Sequence, residues 1–321
     1  MLEDPNAPGA ESPEADDPIA VTGRPNPPAD DDPDQPVHIL PAGEPRLPDP
    51  AGASPDDGEV SIMPLVDPVS SQADAGHSGQ RLIGSPGADE MTGGPGIDTA
   101  DYSDALGGVI IRLNHGAGYR NDADGDRFTS VETLVLTAFN DRVTGSEDKN
   151  HIDGGAGDDT LNGFDGDDAV EGGTGADTVR GAAGDDQLDG GAGDDLVSGG
   201  NGADTVRGGD SRDELFGGNG RDILDGGGGT DTLDGGAGDD RLTGGADADI
   251  FRFPRGNDTI TDFEDGIDLI DAMPQAYASA ATLPYDITQR GDDTVISDGA
   301  DNSLTLLGVD ADSITVVDFV F

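Results

Sequence analysis

The sequence contains no cysteine and no tryptophan, and aromatic residues occupy only 4% of its 321 positions. The absence of cysteine excludes a disulfide framework and a thiolate metal site. With 33% hydrophobic residues and so few aromatics, the chain has little apolar material for an ordinary globular core of this length. We therefore expect bound cations to supply the missing stability.

Basic residues are also scarce. The chain has 16 Lys and Arg against 68 Asp and Glu, and its formal net charge is −52. A chain of this charge is not expected to seek nucleic acid or an anionic membrane, whereas it can hold many hard cations. No apolar run approaches the roughly 18 residues that span a bilayer, which predicts no transmembrane segment. Residues 1–30 show neither the basic nor the apolar region of a cleavable secretion signal.

Glycine is abundant, with 53 residues, and more than half of it lies in a tandem repeat. Eleven nine-residue units run without a gap from Gly154 to Arg252, and each fits G-G-x-G-x-D-x-U-x with U apolar. Position 1 is Gly, position 6 is Asp and position 8 is Leu, Val or Phe in every unit. This spacing is typical of the calcium-binding nonapeptide of parallel β-helices.

Each unit is expected to form a six-residue turn and a three-residue strand, so that two units make one coil of 18 residues. Because strand side chains alternate, position 8 should point inward and positions 7 and 9 outward. One buried aliphatic side chain per nine residues releases far less free energy than ordering nine residues costs. Folding is therefore predicted to depend on ion binding.

Positions 2, 4 and 6 carry the predicted ion chemistry. Glycines allow positive φ values that turn carbonyl groups toward a common centre, and the Asp adds a carboxylate. Ligands that are all oxygen favour Ca²⁺. Ions should lie between Asp residues eighteen apart, which gives about nine Ca²⁺ ions in the regular array. The predicted ligands are Asp159, Asp168, Asp177, Asp186, Asp195, Asp204, Asp213, Asp222, Asp231, Asp240 and Asp249.

The segments around the array divide the chain into four parts. Residues 1–80 contain 16 of the 21 prolines and many acids, which predicts a disordered tail. Residues 81–153 hold degenerate repeats and a β insert with an apparent strand at Gly108–Leu113 and a second apolar stretch at Val131–Leu136. Residues 154–252 are the array, whose period is expected to end after Phe251. Residues 253–321 read as a β-rich cap. Weaker metal ligands are predicted at Asp89, Asp98 and Asp141.

Four units depart from the consensus at a glycine position. Phe164 and Ala182 replace the second glycine of units 2 and 4, and Ser211 and Asp247 replace the fourth glycine of units 7 and 11. Because these side chains stand where a positive φ is expected, the corresponding ions are predicted to bind less tightly.

Residues 84–252 resemble the RTX, or hemolysin-type, calcium-binding repeat family, with its serralysin-like parallel β-roll. Residues 101–103 with the strand 108–113, and residues 138–141, are similar to the insert found before such arrays, and residues 248–251 through 257–263 are similar to their exit. The resemblance implies that the position-6 Asp and the turn carbonyls bind Ca²⁺. It also implies an extracellular protein exported by a type I secretion system, which reads an uncleaved C-terminal signal. The ending Asp318-Phe319-Val320-Phe321 is similar to such signals.

We predict a secreted, non-catalytic protein whose β-roll folds on binding extracellular Ca²⁺. No catalytic domain is recognised, and a His-Glu-x-x-His zinc helix is absent because His38, His77, His115 and His151 lie far apart. Two alternatives stay open. One is a calcium-dependent enzyme, such as a protease, lipase or polysaccharide-modifying enzyme, with an unrecognised site. The other is an adhesin or matrix protein with cell-surface polysaccharide as its partner.

Overall fold

The computed structural model describes residues 79–253, 255–271, 285–299 and 301–320. The disorder predicted for residues 1–80 falls, up to residue 78, outside the described residues. The described chain consists of strands and turns, with short 3₁₀ helices at Leu113–His115, Asn121–Ala123 and Val316–Asp318. The predicted all-β fold is confirmed. In the described part of the chain, no helix is long and apolar enough to cross a membrane.

The N-terminal part forms short strands, each of three residues. They are β1 (Arg81–Ile83), β2 (Glu90–Thr92), β3 (Thr99–Asp101), β4 (Ile110–Arg112), β5 (Ala117–Tyr119), β6 (Arg127–Thr129), β7 (Thr133–Val135), β8 (Arg142–Thr144) and β9 (His151–Asp153). The strand predicted around 108–113 exists as β4, and the apolar stretch 131–136 contains β7. In both β4 and β7, one fully buried residue lies between two outward residues.

The regular array forms longer strands, mostly of six residues. They are β10 (Thr160–Asp165), β11 (Ala169–Thr174), β12 (Thr178–Ala183), β13 (Gln187–Ala192), β14 (Leu196–Asn201), β15 (Thr205–Asp210), β16 (Glu214–Asn219), β17 (Ile223–Gly228), β18 (Thr232–Gly238), β19 (Arg241–Ala246) and β20 (Ile250–Arg252). The prediction of three-residue strands and six-residue turns is wrong. Positions 2 and 3 of the next unit also pair with the coil eighteen residues away, as Phe164 does with Ala182.

The C-terminal part adds six strands. They are β21 (Arg255–Ile260), β22 (Leu269–Asp271), β23 (Asp286–Arg290), β24 (Asp293–Ser297), β25 (Ser303–Leu306) and β26 (Phe319–Val320). β21 continues the roll beside β19, so the prediction that the period ends after Phe251 is wrong. Gly256, Asp258 and Ile260 occupy positions 4, 6 and 8 of a twelfth unit without the first two glycines.

Strands stack in parallel with a register of eighteen residues and form two sheets. In sheet A, Val170 of β11 lies opposite Leu188 of β13. In sheet B, Leu161 of β10 lies opposite Val179 of β12. The predicted coil of two units is therefore confirmed. Successive units alternate between the sheets, so position-6 residues of every second unit lie on the same side of the roll.

The core is a ladder of aliphatic side chains between the two sheets. The position-8 residues of all eleven units are at most 1% exposed. The same ladder extends to Leu82 at the N-terminal end and to Ile260 and Ile270 beyond the array. In the regular coils each half-coil contributes one large apolar side chain, whereas the insert and the C-terminal part bury further ones such as Tyr102, Phe128 and Ile296.

The two ends of the roll depart from pure parallel stacking. In the insert, β4 pairs in parallel with β8, while β5 runs antiparallel to β4 and β6. At the other end, β25 pairs in parallel with β21, and β24 and β23 continue as antiparallel strands. β26 pairs with β22. The pairings of β23, β24, β25 and β26 form the predicted C-terminal β cap.

Candidate metal centre

The position-6 Asp residues form two columns, one on each side of the roll. All eleven predicted Asp residues are at most 3% exposed. In each pair eighteen apart, the backbone N–H of the earlier Asp donates to Oδ1 of the later one, at 2.7–2.9 Å. Asp residues eighteen apart, between which the ions are predicted to lie, are thus joined by a chain of hydrogen bonds, and the ions themselves stay a prediction.

The second carboxylate oxygen has a different environment. Oδ2 is buried and has no hydrogen-bond partner among the described residues in ten of the eleven predicted Asp; Asp249 is the exception. Asp258, in the twelfth unit, has the same orphaned oxygen. A buried oxygen without a donor costs free energy, and more when it is charged. Eleven such atoms in repeated surroundings indicate that a bound cation belongs beside them.

The glycine at position 1 leaves room where oxygens converge. A Cβ added to Gly172 would lie 2.6 Å from Oδ2 of Asp177 and 2.5 Å from the carbonyl oxygen of Gly190. Gly208 has the same arrangement with Asp213 and the carbonyl of Gly226. A carboxylate of one unit and a carbonyl of the coil eighteen residues on therefore approach the same space, which any larger residue would fill.

Positions 2 and 4 have positive φ in all eleven units, including the four units without the consensus glycine. Phe164 and Ala182 have φ of 85° and 88°, and Ser211 and Asp247 have φ of 87° and 79°. The turn geometry is therefore kept at these positions, but a residue with a Cβ is strained there, by about 1–3 kcal/mol. The weaker ion binding predicted at these four turns stays a prediction.

Gly229→Ala and Gly228→Ala form a matched pair of adjacent substitutions. Gly229 has φ of 134°, and its Cβ would lie 1.9 Å from the carbonyl oxygen of Ser211. Gly228 has no atom within 4 Å of its Cβ position. In saturating Ca²⁺, we expect Gly229→Ala to lower the free energy of unfolding by at least about 2 kcal/mol and Gly228→Ala to change it by less than about 0.5 kcal/mol. Urea unfolding measures both. Equal losses would contradict the turn geometry.

Among the described residues, none of the weaker ligands predicted before the array has a buried carboxylate oxygen without a hydrogen-bond partner. Oδ2 of Asp89 accepts hydrogen bonds from the N–H and hydroxyl of Ser85. Asp98 accepts from the N–H groups of Gln80 and Gly94, and Asp141 accepts from Val109 and Thr137. Protein donors therefore already occupy these carboxylates. In the column that contains Asp168, the preceding residue at position 6 is Asn150. Its Nδ2 is buried without a partner among the described residues.

Two groups of functional residues were missed from the sequence. Asp258 lies eighteen residues after Asp240 and accepts its N–H at 3.1 Å, so the spacing could have identified it. A second, exposed ladder uses Asp at position 5. Asp158 accepts the N–H of Ala176, and Asp185 accepts the N–H of Ala203. The recurrence of Asp at position 5 was the available signal.

Burial raises the pKa of the column carboxylates, and neighbouring Asp residues raise it further in most of them. The pKa is raised to about 8 for Asp159, to about 7 for Asp186 and Asp213, and to about 6 for Asp204 and Asp222. In each case a backbone hydrogen bond opposes the shift. The apo roll therefore resists ionisation, whereas a cation ligand requires the ionised form.

Protonation of the column carboxylates at low pH should partly replace the stabilisation that ion binding provides. Because these pKa values are higher in the folded chain than the ordinary 3.8, protonation stabilises the metal-free roll, and this stability is lost as pH rises through about 6–8. In chelator, lowering the pH from about 8 to about 5 should increase the β signal in circular dichroism. With Ca²⁺ present, the same change should weaken ion binding. A metal-free chain that gains no β structure on acidification would contradict this prediction.

The donor set fits a hard divalent cation. The orphaned atoms are carboxylate oxygens, the groups beside them are backbone carbonyls, and neither His nor Cys belongs to the columns. Among the described residues, no group of three or more His, Cys, Asp or Glu is gathered as a metal cluster. Each ion would therefore depend on carbonyls as well as carboxylates, as Ca²⁺ does in flexible sites of six to eight oxygens.

A comparison with models of protein families agrees with this geometry. Residues 81–100, 135–168, 162–197, 198–233 and 225–260 match the model of the RTX calcium-binding nonapeptide repeat. No curated protein matches the chain. Among solved structures, a subunit of the mannuronan C5-epimerase from Azotobacter vinelandii is 29% identical, with a TM-score of 0.30, over 40% of this chain and 80% of that one. The extracellular lipase LipA from Serratia marcescens is 22% identical, with a TM-score of 0.30, over 57% of this chain and 40% of the lipase.

Proposed function

We propose that this chain, in which residues 135–260 are RTX calcium-binding nonapeptide repeats, is a secreted, non-catalytic protein whose roll folds on binding extracellular Ca²⁺. The observation that carries the proposal is the set of eleven buried Oδ2 atoms without a hydrogen-bond partner in the described structure. A bound divalent ion at each level would compensate these charges. The binding free energy would then become folding free energy.

Repetition supports a structural role for the carboxylates. The same donor, acceptor and orphaned oxygen recur from one coil to the next, as in Asp186, Asp204 and Asp222. An active site needs one acid and one base in different environments, whereas a column of equal sites suits a row of equal ions. Assays for proteolytic, esterase and polysaccharide-modifying activity, with and without Ca²⁺, test the non-catalytic part. Activity that depends on Ca²⁺ would overturn it.

The position of the C-terminus supports an order of events for export. Phe319 is 6% exposed and lies in β26, which pairs with β22 of the roll. Asp318 is buried, and its Oδ2 accepts the N–H of Thr315. A tail that is incorporated in the fold is accessible to a secretion system only before folding. Low cytosolic Ca²⁺ would keep the chain unfolded for type I secretion, and millimolar Ca²⁺ outside would fold it.

Calorimetric titration of the full chain with Ca²⁺ tests ion binding, and Mg²⁺ at equal concentration serves as control. We expect about nine to eleven ions, bound together with the appearance of β structure, and no comparable response to Mg²⁺. Export is tested separately by deleting residues 302–321 and comparing culture supernatant with cell lysate. Retention of the truncated chain in the cells supports secretion by the C-terminus, and its normal export overturns that part alone.

A further inference from the structure

One outer face of the roll is basic although the chain is strongly acidic. Seven neighbouring strands of sheet B, namely β6, β5, β4, β8, β10, β12 and β14, are joined in this order. In each of these strands, the two residues that flank the buried central residue point outward. None of these outward residues is acidic, and four of them are arginine. The basic face consists of Arg127, Thr129, Ala117, Tyr119, Ile110, Arg112, Arg142, Thr144, Thr160, Asn162, Thr178, Arg180, Leu196 and Ser198.

The opposite face of the same coils has the reverse character. On sheet A, the equivalent outward positions of β9, β11 and β13 include Asp153, Glu171 and Asp189 and no arginine. Composition alone does not explain the basic face, because a chain with 68 acidic and 16 basic residues is expected to have more acids than bases on any outer face.

The arginines of this face are largely free to bind a ligand. Arg112, Arg142 and Arg180 form no ion pair with a described residue, and Arg142 and Arg180 are exposed. The guanidinium carbon of Arg112 lies 5.9 Å from the ring centroid of Tyr119. Only Arg127, at the edge, is paired, with Glu90 of β2. Beyond the other edge, β16 presents an acid again.

We propose that the basic face binds a linear, carboxylate-bearing polysaccharide. Six interstrand spacings give the face a length of about 29 Å, while only two outward rows set its width, so its shape suits an extended polymer. Arginine forks bind carboxylates with two parallel hydrogen bonds. Between the arginines lie hydroxyl and amide groups, such as those of Thr144, Asn162 and Thr178, which can hydrogen-bond sugar hydroxyls.

Other polyanions fit this face less well. Single-stranded nucleic acid is bound by several aromatic side chains on which successive bases stack, and Tyr119 is the one aromatic residue of the basic face. An acidic peptide would need pockets for its side chains to gain specificity, whereas the rows of the basic face are flat strands. The strand-to-strand repeat of about 4.8 Å instead offers evenly spaced polar groups.

The inference rests on the proposed function, because the basic face exists only in the folded roll. The test uses the full chain in saturating Ca²⁺ and a fluorescent hyaluronan decasaccharide, a carboxylate-bearing linear sugar, with a neutral dextran of similar length as control. Circular dichroism with a Ca²⁺ titration is recorded first for every variant. A variant that does not fold with Ca²⁺ bears on the proposed function, and a folded chain that does not bind the sugar bears on this inference alone.

Two double charge reversals form a matched pair. Arg142→Glu with Arg180→Glu changes the basic face, and Arg207→Glu with Arg241→Glu makes the same change in charge at exposed positions of sheet A. We expect the first to weaken hyaluronan binding at least about tenfold, and the second to have less than about a twofold effect, because charges farther apart than a Debye length are screened. Equal losses, no binding of hyaluronan, or tighter binding of a single-stranded oligonucleotide or polyglutamate of equal charge would overturn the proposal.

Discussion

Chelation of Ca²⁺ is expected to unfold the roll. In the metal-free chain, eleven buried carboxylate oxygens have no partner among the described residues, and burial opposes their ionisation. The aliphatic ladder contributes one side chain per half-coil, which is too little to hold the stacked columns of negative charge together. We expect the β spectrum to disappear in chelator and to return with Ca²⁺.

Hydrogen exchange can resolve where this unfolding begins. Amides of the regular coils, from Thr160 to Ile260, should lose protection first, because their carboxylates depend on the ion. The coils around Asp89 and Asp98 should keep protection longest, since Ser85, Gln80 and Gly94 already satisfy those carboxylates. Readdition of Mg²⁺ at the same ionic strength is the control. A β spectrum that chelator leaves unchanged would contradict the role given to the ions.

The sequence predicted the repetitive part of the fold well, because each repeat position has one physical task. Leu161 and Val179 had to face inward, and the period of nine made a register of eighteen the natural stacking distance. The irregular parts were harder. The continuation through Asp258 lacks the first two glycines of the motif, so no glycine pair marks it as a repeat unit.

At the N-terminal end, some hydrogen-bond partners lie far apart in the sequence, and the nine-residue spacing does not predict them. Asp126 takes the place of the next column residue for Asp89, although 37 residues separate them, and accepts the N–H of Asp89 at 2.7 Å. The hydroxyl of Tyr102 donates to the other oxygen of Asp126 at 2.5 Å. This arrangement depends on the antiparallel excursion through β5, which no repeat position specifies.

The sequence also could not predict which oxygen of each carboxylate is left without a hydrogen-bond partner. The motif places Asp141 and Asp159 in equivalent positions. In Asp141, however, Oδ2 accepts the N–H of Thr137, while in Asp159 it has no partner among the described residues. The difference lies in the turn, where position 2 has a positive φ in the array, as at Gly155, but not at Thr137.

Asp222→Asn should change stability in opposite directions with and without Ca²⁺. Asp222 is fully buried, and its Oδ1 accepts the N–H of Asp204 at 2.9 Å, a bond that asparagine can keep. Only the charge at the orphaned oxygen is removed. In saturating Ca²⁺ we expect a loss of about 3 kcal/mol, the scale for removing one partner of a buried ion pair, and one or two fewer bound ions. Without Ca²⁺ the variant should be more stable by about 1–3 kcal/mol at neutral pH, because burial raises the pKa of Asp222 to about 6.

The sign of the change separates a metal ligand from a structural hydrogen-bond acceptor. An acceptor would lose stability in both conditions, since its bond is the same with or without the ion. Sodium sulfate in chelator can populate the metal-free folded chain for the second measurement, because it strengthens burial without binding the columns. Asp225→Asn, three residues away at an exposed outward position, has the same change in charge and should shift the free energy of unfolding by less than about 0.5 kcal/mol in either condition. A loss for Asp222→Asn in both conditions would mean that the column carboxylates hold the coils together by hydrogen bonds alone.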